Sequence, residues 1–201
     1  MIYLGLAAYT AWQWLPSQTT REVHRRVGWL AAASMVLNAP WLLVTQQGWI
    51  WLSVGVIFAL ALVLGVLLRR LTMLGTEGLL DRVVLDGTFG LYLGWVAVAT
   101  CANVTAALVA DGVEPGPVVS DVAAVLVLAV VAALGLVFAR RLGGRYAVAA
   151  AMGWGLAWIT VGRVTDEPES LVTGVAAAVV AVLVLALHGV SPHARAHHPG
   201  L

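Results

Sequence analysis

The chain has 201 residues, of which 61% are hydrophobic and 10% are charged, and its mean hydropathy is +0.94. A soluble domain carries about 25% charged residues, so this composition excludes a water-soluble globular protein and indicates an integral membrane protein. The net charge of +1 gives no sign of a nucleic-acid-binding surface, and the single cysteine, Cys101, excludes an internal disulfide and a cysteine-based metal cluster.

Seven apolar runs follow one another along the chain, and most are long enough to cross a bilayer as a helix. They are Ile2–Leu15, Val27–Thr45, Trp49–Leu68, Val83–Ala110, Val118–Ala139, Tyr146–Val161 and Leu171–Val190. Only helices or a closed barrel satisfy backbone hydrogen bonds in lipid, and the continuously apolar segment Val122–Leu136 lacks the alternation of a barrel strand. The sequence therefore predicts an all-α, polytopic membrane helix bundle with about seven transmembrane helices.

The first run, Ile2–Leu15, is the shortest and begins directly after Met1. It has no basic region before it and no small-residue cleavage site before Ser17, which argues against a signal peptide. We expect it to be a membrane helix that is completed by residues upstream of Met1. The genomic reading frame before Met1 tests this expectation.

The arginines predict the orientation of the bundle. Ten of the eleven arginines lie in the loops after the first, third and fifth runs or in the C-terminal tail, and the other three loops contain only Arg163. Arginine is enriched in cytoplasmic loops, so we expect the N-terminus outside and the C-terminus inside. We expect the tail, residues 191–201, to be a disordered cytoplasmic segment, although its three histidines could instead bind a metal.

Two runs carry polar and aromatic residues at helical spacing. One face of the fourth run contains Asp81, Thr88, Tyr92, Trp95, Ala99 and Asn103, and the opposite face contains Gly87, Gly90, Gly94 and Cys101. One face of the second run contains Ala31, Ser34, Asn38, Trp41 and Thr45. Small residues four apart allow another helix to approach closely, whereas an asparagine in a membrane must face protein, water or a ligand.

Each of these features also has a purely structural interpretation. The asparagines could join neighbouring helices, and Trp41 and Trp95 could be packing residues rather than the lining of a cavity. Asp86 and Arg82 are spaced for a local ion pair, with a proton relay as the alternative. His188 lies near the end of a run, where an interfacial histidine is more common than a haem ligand. The almost purely aliphatic fifth and seventh runs are expected to face lipid or a partner subunit.

Three segments resemble one known family. Leu91–Asn103 (LYLGWVAVATCAN) resembles the last-helix signature of the tryptophan-rich sensory proteins, the bacterial relatives of the translocator protein, or TspO/MBR family. Leu37–Trp41 (LNAPW) is similar to that family's Asn-x-x-Trp helix, and Ile2–Trp14 is similar to its second helix. The three segments occur in the family's order and spacing and cover about half of the chain.

The resemblance implies a helical bundle that binds porphyrins or similar flat hydrophobic molecules, in some relatives sterols, and that often dimerises. By position, the resemblance places Asn38, Trp95, Ala99 and Asn103 in the pocket. The helix faces add Trp41 and Tyr92, so the expected ligand-binding residues are Asn38, Trp41, Tyr92, Trp95, Ala99 and Asn103. The resemblance finds no counterpart in these 201 residues for the family's first helix and the Trp- and Pro-rich loop after it, and since the family's porphyrin chemistry is credited to tryptophans there, we do not expect catalysis. We therefore divide the chain into translocator-protein-like helices (1–110), three additional helices (111–190) and the tail (191–201).

The favoured function is a sensor or carrier for a tetrapyrrole-like ligand in a bacterial plasma membrane, with membrane lipid and a hydrophobic small molecule as partners. A small-solute transporter and a structural membrane protein without a ligand are the alternatives. An enzyme is disfavoured because the sequence contains no Ser-His-Asp set and no paired intramembrane carboxylates. No obligatory cofactor is expected, and porphyrin or haem would bind as a ligand.

Overall fold

The computed structural model describes residues 1–18, 21–75, 78–113, 115–166 and 169–189. Within these residues the chain forms seven helices and no strand, which confirms the all-α fold class. They are α1 (Ile2–Gln13), α2 (Glu22–Gln46), α3 (Ile50–Leu74), α4 (Gly78–Ala110), α5 (Pro117–Arg141), α6 (Tyr146–Thr165) and α7 (Leu171–Gly189). The tail predicted at residues 191–201 lies outside the described residues.

Six of these helices, α2 to α7, are long and apolar enough to cross a membrane by length and composition. The remaining helix, α1, has 12 residues and is shorter than a bilayer requires. Several helices extend beyond the apolar run that predicted them; α2, for example, begins at Glu22 rather than at Val27. Hydropathy marks the lipid-embedded part of a helix, whereas backbone hydrogen bonds continue into the polar ends.

The helices pack in an order that differs from their order in the chain. The most extensive pairs are α2 with α3, α3 with α4, α4 with α6, α6 with α7, and α7 with α5. One hydrophobic core includes side chains from all seven helices, among them Leu6, Val27, Leu60, Phe89, Leu128, Met152 and Val184. Helices on both sides of residue 110 contribute to this core, and the division of the chain at that residue stays a prediction.

The contact between α4 and α6 depends on glycines of α4. A Cβ atom at Gly90 would lie 2.8 Å from the Cβ of Ala147, and one at Gly94 would overlap the Val148 carbonyl oxygen. The backbones of the two helices therefore approach closely, as small residues allow in membranes. The packing role predicted for this face of α4 is confirmed at Gly90 and Gly94.

The short helix α1 is held against α2 and α4 by close packing. A Cβ atom at Gly5 would lie 2.6 Å from the Thr88 hydroxyl oxygen. Tyr9 is fully buried, with its ring edge-on to Phe89 at 5.1 Å between centroids and 5.9 Å from the ring of His24. These contacts fix the position of α1 although it makes fewer contacts than the longer helices.

Polar contacts near the helix ends define two ends of the bundle. Arg70 donates to the Arg26 carbonyl at 2.9 Å, and Arg145 donates to the Thr72 hydroxyl at 3.2 Å. These bonds bring the start of α2, the end of α3 and the α5–α6 loop together at one end, which we call the arginine-rich end. At the other end, the Trp51 indole N–H donates to the Asp111 carboxylate at 2.7 Å. That the arginine-rich end faces the cytoplasm stays a prediction from arginine distribution.

Near the arginine-rich end, α4 contains a π-helical segment, Arg82–Gly87. One carboxylate, Asp81, directly precedes this segment and a second, Asp86, lies within it, and each pairs with an arginine outside α4. Asp81 is 3% exposed and accepts two hydrogen bonds from the Arg21 guanidinium, at 2.8 and 2.6 Å. Asp86 forms an ion pair with Arg145, before α6. The prediction paired Asp86 with Arg82 on the assumption of regular α-helical spacing, and the wider π-turn changes that geometry. Asp86 thus links α4 to α6.

Candidate ligand cavity

A cavity of about 510 Å³ lies between α2, α4 and α6. Three indole rings line it, Trp41 from α2, Trp95 from α4 and Trp158 from α6. The rest of the lining consists of small and apolar residues and one amide: Val98, Ala99, Ala102, Asn103, Ala106, Gly155 and Ile159. We call this space the tryptophan cavity.

The space exists because the helix surfaces between the indoles carry small side chains. Ala99, Ala102 and Ala106 follow one another at helical spacing along α4. Gly155 stands opposite on α6, where a Cβ atom would already lie 3.1 Å from the Val98 side chain. Larger residues at these positions would fill the cavity or separate the two helices.

The three indoles differ in burial and in polar contacts. Trp95 and Trp158 are 42% and 57% exposed, and the ring of Trp158 stands edge-on to Trp154 at 5.8 Å between centroids. Trp41 is half-buried, and its indole N–H is buried without a hydrogen-bond partner among the described residues. A buried donor of this kind is costly unless an acceptor reaches it.

Asn103 supplies the polar side of the cavity. Its amide nitrogen donates to the Ser53 hydroxyl of α3 at 2.9 Å, and that hydroxyl donates to the Ile50 carbonyl at 2.6 Å. This chain of bonds fixes the orientation of the Asn103 amide. Asn103 therefore joins α4 to α3, as the structural interpretation of the sequence expected. It also lines the cavity, as the ligand-binding interpretation expected.

Four of the six predicted ligand-binding residues meet here: Trp41, Trp95, Ala99 and Asn103. Asn38 lies outside this cavity and donates to the Tyr3 hydroxyl at 3.0 Å, in a separate groove of about 760 Å³ between α1 and α2. Tyr92 is buried and donates to the Ser34 carbonyl at 3.3 Å, which fixes α4 against α2. The second run thus directs its asparagine toward α1 and its tryptophan toward α4.

The part that α6 plays in lining the cavity was not predicted from the sequence. Gly155 and Trp158 are three residues apart and lie on one side of the helix, as Trp95 and Ala99 do on α4. This combination of glycine and tryptophan in the sixth run was the available signal. Its significance depends on the pairing of α4 with α6, which the order of the runs does not reveal.

The described residues give no sign of a metal site at the cavity. Among the described residues, no three His, Cys, Asp or Glu side chains are grouped so that they could hold a metal ion. The described lining residues of the tryptophan cavity also include no histidine, cysteine or methionine that could ligate a haem iron.

Six apolar helices, three of which line an aromatic and largely apolar cavity, define the class: a polytopic α-helical integral membrane protein. The family model described as TSPO-like protein matches residues 1–188, and the chain belongs to that family. The matched range includes α5, α6 and α7, which the sequence analysis treated as additional to the family's helices. Neither a curated protein nor a solved structure matches the chain.

Proposed function

We propose that this protein is a membrane sensor or carrier of a bacterial plasma membrane, and that it binds a flat hydrophobic ligand such as a porphyrin in the tryptophan cavity. The observation that carries the proposal is the meeting of Trp41, Trp95 and Trp158 around a floor of alanines and glycine. Membership of the TSPO-like family and the six apolar helices support the sensor or carrier class.

The composition of the cavity suits a flat, mostly apolar guest. Its volume, about 510 Å³, lies in the range of small-molecule sites, which are generally apolar and aromatic with few polar groups. Indole faces offer stacking area to a planar ring system, and Ala99 leaves room beside Trp95. The unpartnered N–H of Trp41 is a donor for a carboxylate or carbonyl at the edge of such a ligand.

The described lining also predicts how the affinities for haem and for metal-free porphyrin compare. Haem gains affinity over metal-free porphyrin when a protein side chain binds its iron. Because no such side chain lines the tryptophan cavity among the described residues, we expect protoporphyrin and haem to bind with similar affinity. A haem affinity far above that of protoporphyrin would contradict this part of the proposal.

Quenching of tryptophan fluorescence by protoporphyrin, titrated into the purified chain in detergent, tests the proposal. Trp95→Ala should weaken binding by about 1–3 kcal/mol, or roughly 5- to 150-fold, because it removes one large side chain from the ligand's surface. Trp29, on α2, is 85% exposed and lies outside the cavity, so Trp29→Ala is the matched control. Trp51→Ala would be a poorer control because it breaks the bond to Asp111.

The placement of Asn38 sharpens the experiment. Asn38→Ala should change the affinity less than twofold, since Asn38 lies in the α1–α2 groove rather than in the tryptophan cavity. A large loss in Asn38→Ala together with an unchanged Trp95→Ala would place the ligand in that groove instead. Equal affinities in all variants, or quenching that does not saturate, would leave the cavity as a packing defect.

A further inference from the structure

A second cavity, of about 490 Å³, lies at the arginine-rich end. It is bounded by the end of α3, the π-helical segment of α4, the α5–α6 loop and the end of α7. Six polar side chains line it: Thr72, Arg82, Asp86, Arg145, Tyr146 and His188. We call it the basic cavity. It shares no lining residue with the tryptophan cavity.

His188 is buried in the wall of the basic cavity, 1% exposed, although its position near the end of a run predicted an interfacial residue. Its Nδ1 donates to the Val184 carbonyl at 2.9 Å, in the same helix. Its Nε2 is buried and has no hydrogen-bond partner among the described residues. With Nδ1 committed as a donor, Nε2 accepts from a hydroxyl, or donates to an anion when the ring carries a second proton.

Arg145 is a largely buried cation in the same wall. It pairs with Asp86 and donates to the Thr72 hydroxyl at 3.2 Å, yet its Nε atom has no partner among the described residues. Burial lowers the pKa of Arg145 from 12.5 to about 10, so the guanidinium is still charged at neutral pH. A second anion in the cavity would offset part of that desolvation.

Arg82 adds a second positive charge to the lining of the cavity. Its side chain lines the cavity and makes no hydrogen bond or ion pair within the described part of the chain. Among the described residues that line the cavity there are two guanidinium groups and one carboxylate, and that carboxylate is paired with Arg145. The N-terminus of the 20-residue helix α6 adds to this field, because Tyr146 and Ala147, in its first turn, also line the cavity.

We propose that the basic cavity binds a negatively charged phosphate group, carried either by the headgroup of an anionic phospholipid or by a small soluble phosphate. Arg82 pairs with the phosphate, the first turn of α6 donates to it, and His188 Nε2 bonds to a phosphate oxygen or to a neighbouring hydroxyl. The ion pair between Asp86 and Arg145 accounts for Arg145, but it leaves the buried Nε2 atom of His188 without a hydrogen-bond partner among the described residues. The cavity is larger than a phosphate ion and leaves room for the group that carries it.

Native mass spectrometry of the full chain in dodecylmaltoside tests this proposal with three probes: phosphatidylglycerol, phosphatidylcholine and inorganic phosphate. If the ligand is a lipid headgroup, the wild type should retain one phosphatidylglycerol in preference to phosphatidylcholine in the mass spectrum. If the ligand is a soluble phosphate, inorganic phosphate should produce a saturable rise in the thermal stability of the wild type. Arg82→Gln should weaken that binding about tenfold or more, since a charge-assisted hydrogen bond is lost. Arg140→Gln, at an exposed arginine on α5 outside the cavity, is matched in charge and should have no effect.

Competition separates the two sources of phosphate. Displacement of phosphatidylglycerol by millimolar phosphate would show a site that reads the phosphate group alone, and retention would show a headgroup site. His188→Phe keeps a buried ring but removes Nε2, and it should also weaken binding. If His188→Phe does not fold, Arg82→Gln tests the proposal by itself. The proposal would be overturned if Arg82→Gln and Arg140→Gln reduced binding equally, or if neither anionic probe bound. Both outcomes are independent of the result of the porphyrin titration.

Discussion

The close contact between α4 and α6 makes a prediction about Gly94. In Gly94→Ala the new methyl group would overlap the Val148 carbonyl oxygen and lie 2.9 Å from the Cβ of Ala151. A backbone carbonyl cannot rotate aside as a flexible side chain does, so the two helices must move apart. Overpacking of this kind costs about 1–3 kcal/mol. We expect the free energy of unfolding to fall by that amount when the protein is titrated from dodecylmaltoside into SDS and its unfolding is followed by tryptophan fluorescence.

Gly65 in α3 provides the control. A Cβ atom there would meet no atom within 4 Å, so Gly65→Ala adds a methyl group without a clash. Alanine is the better helix former by about 0.5–1 kcal/mol, and because helices persist in SDS the gain should stay below that value. The two substitutions should therefore shift the unfolding midpoint in opposite directions, or Gly65→Ala not at all. Equal destabilisation of both variants would refute the tight contact between α4 and α6 at Gly94.

Two further predictions concern charge and orientation. Asp81→Asn should destabilise the chain by about 3 kcal/mol, because it breaks a buried ion pair, whereas Glu22→Gln, in a pair whose side chains are more than half exposed, should cost less than about 1 kcal/mol; the SDS unfolding assay compares them. In a Cys101→Ala background, Glu169→Cys should react with an impermeant thiol reagent from outside intact cells and Ser17→Cys should not. The reverse pattern would invert the predicted topology.

The helical class and the packing face of α4 could be predicted from the sequence because both depend on local signals. Hydropathy over a run of residues identifies the membrane helices, and the four-residue spacing of Gly90 and Gly94 identifies a close helix contact. Neither signal depends on which helix is the partner. That partner, α6, lies more than 50 residues further along the chain.

The partner helices could not be predicted, and the differences at the candidate site follow from this. Trp158 enters the tryptophan cavity only because α6 packs on α4, and Asn38 turns to Tyr3 because α1 lies beside α2. The partner of Asp86 was missed for a different reason. Regular helical spacing points to Arg82, whereas the π-helical segment and the approach of α6 bring Arg145 to the carboxylate.

Filling the tryptophan cavity tests the central claim most directly. Ala99→Phe places an aromatic ring in the space beside Trp95 that the ligand is proposed to occupy. Ala123→Phe, at an exposed position on α5 outside the cavity, adds the same side chain elsewhere. We expect quenching by protoporphyrin to stay saturable in Ala123→Phe. In a folded Ala99→Phe variant we expect it to be lost, or the affinity to fall at least tenfold. Wild-type affinity in Ala99→Phe would contradict the central claim.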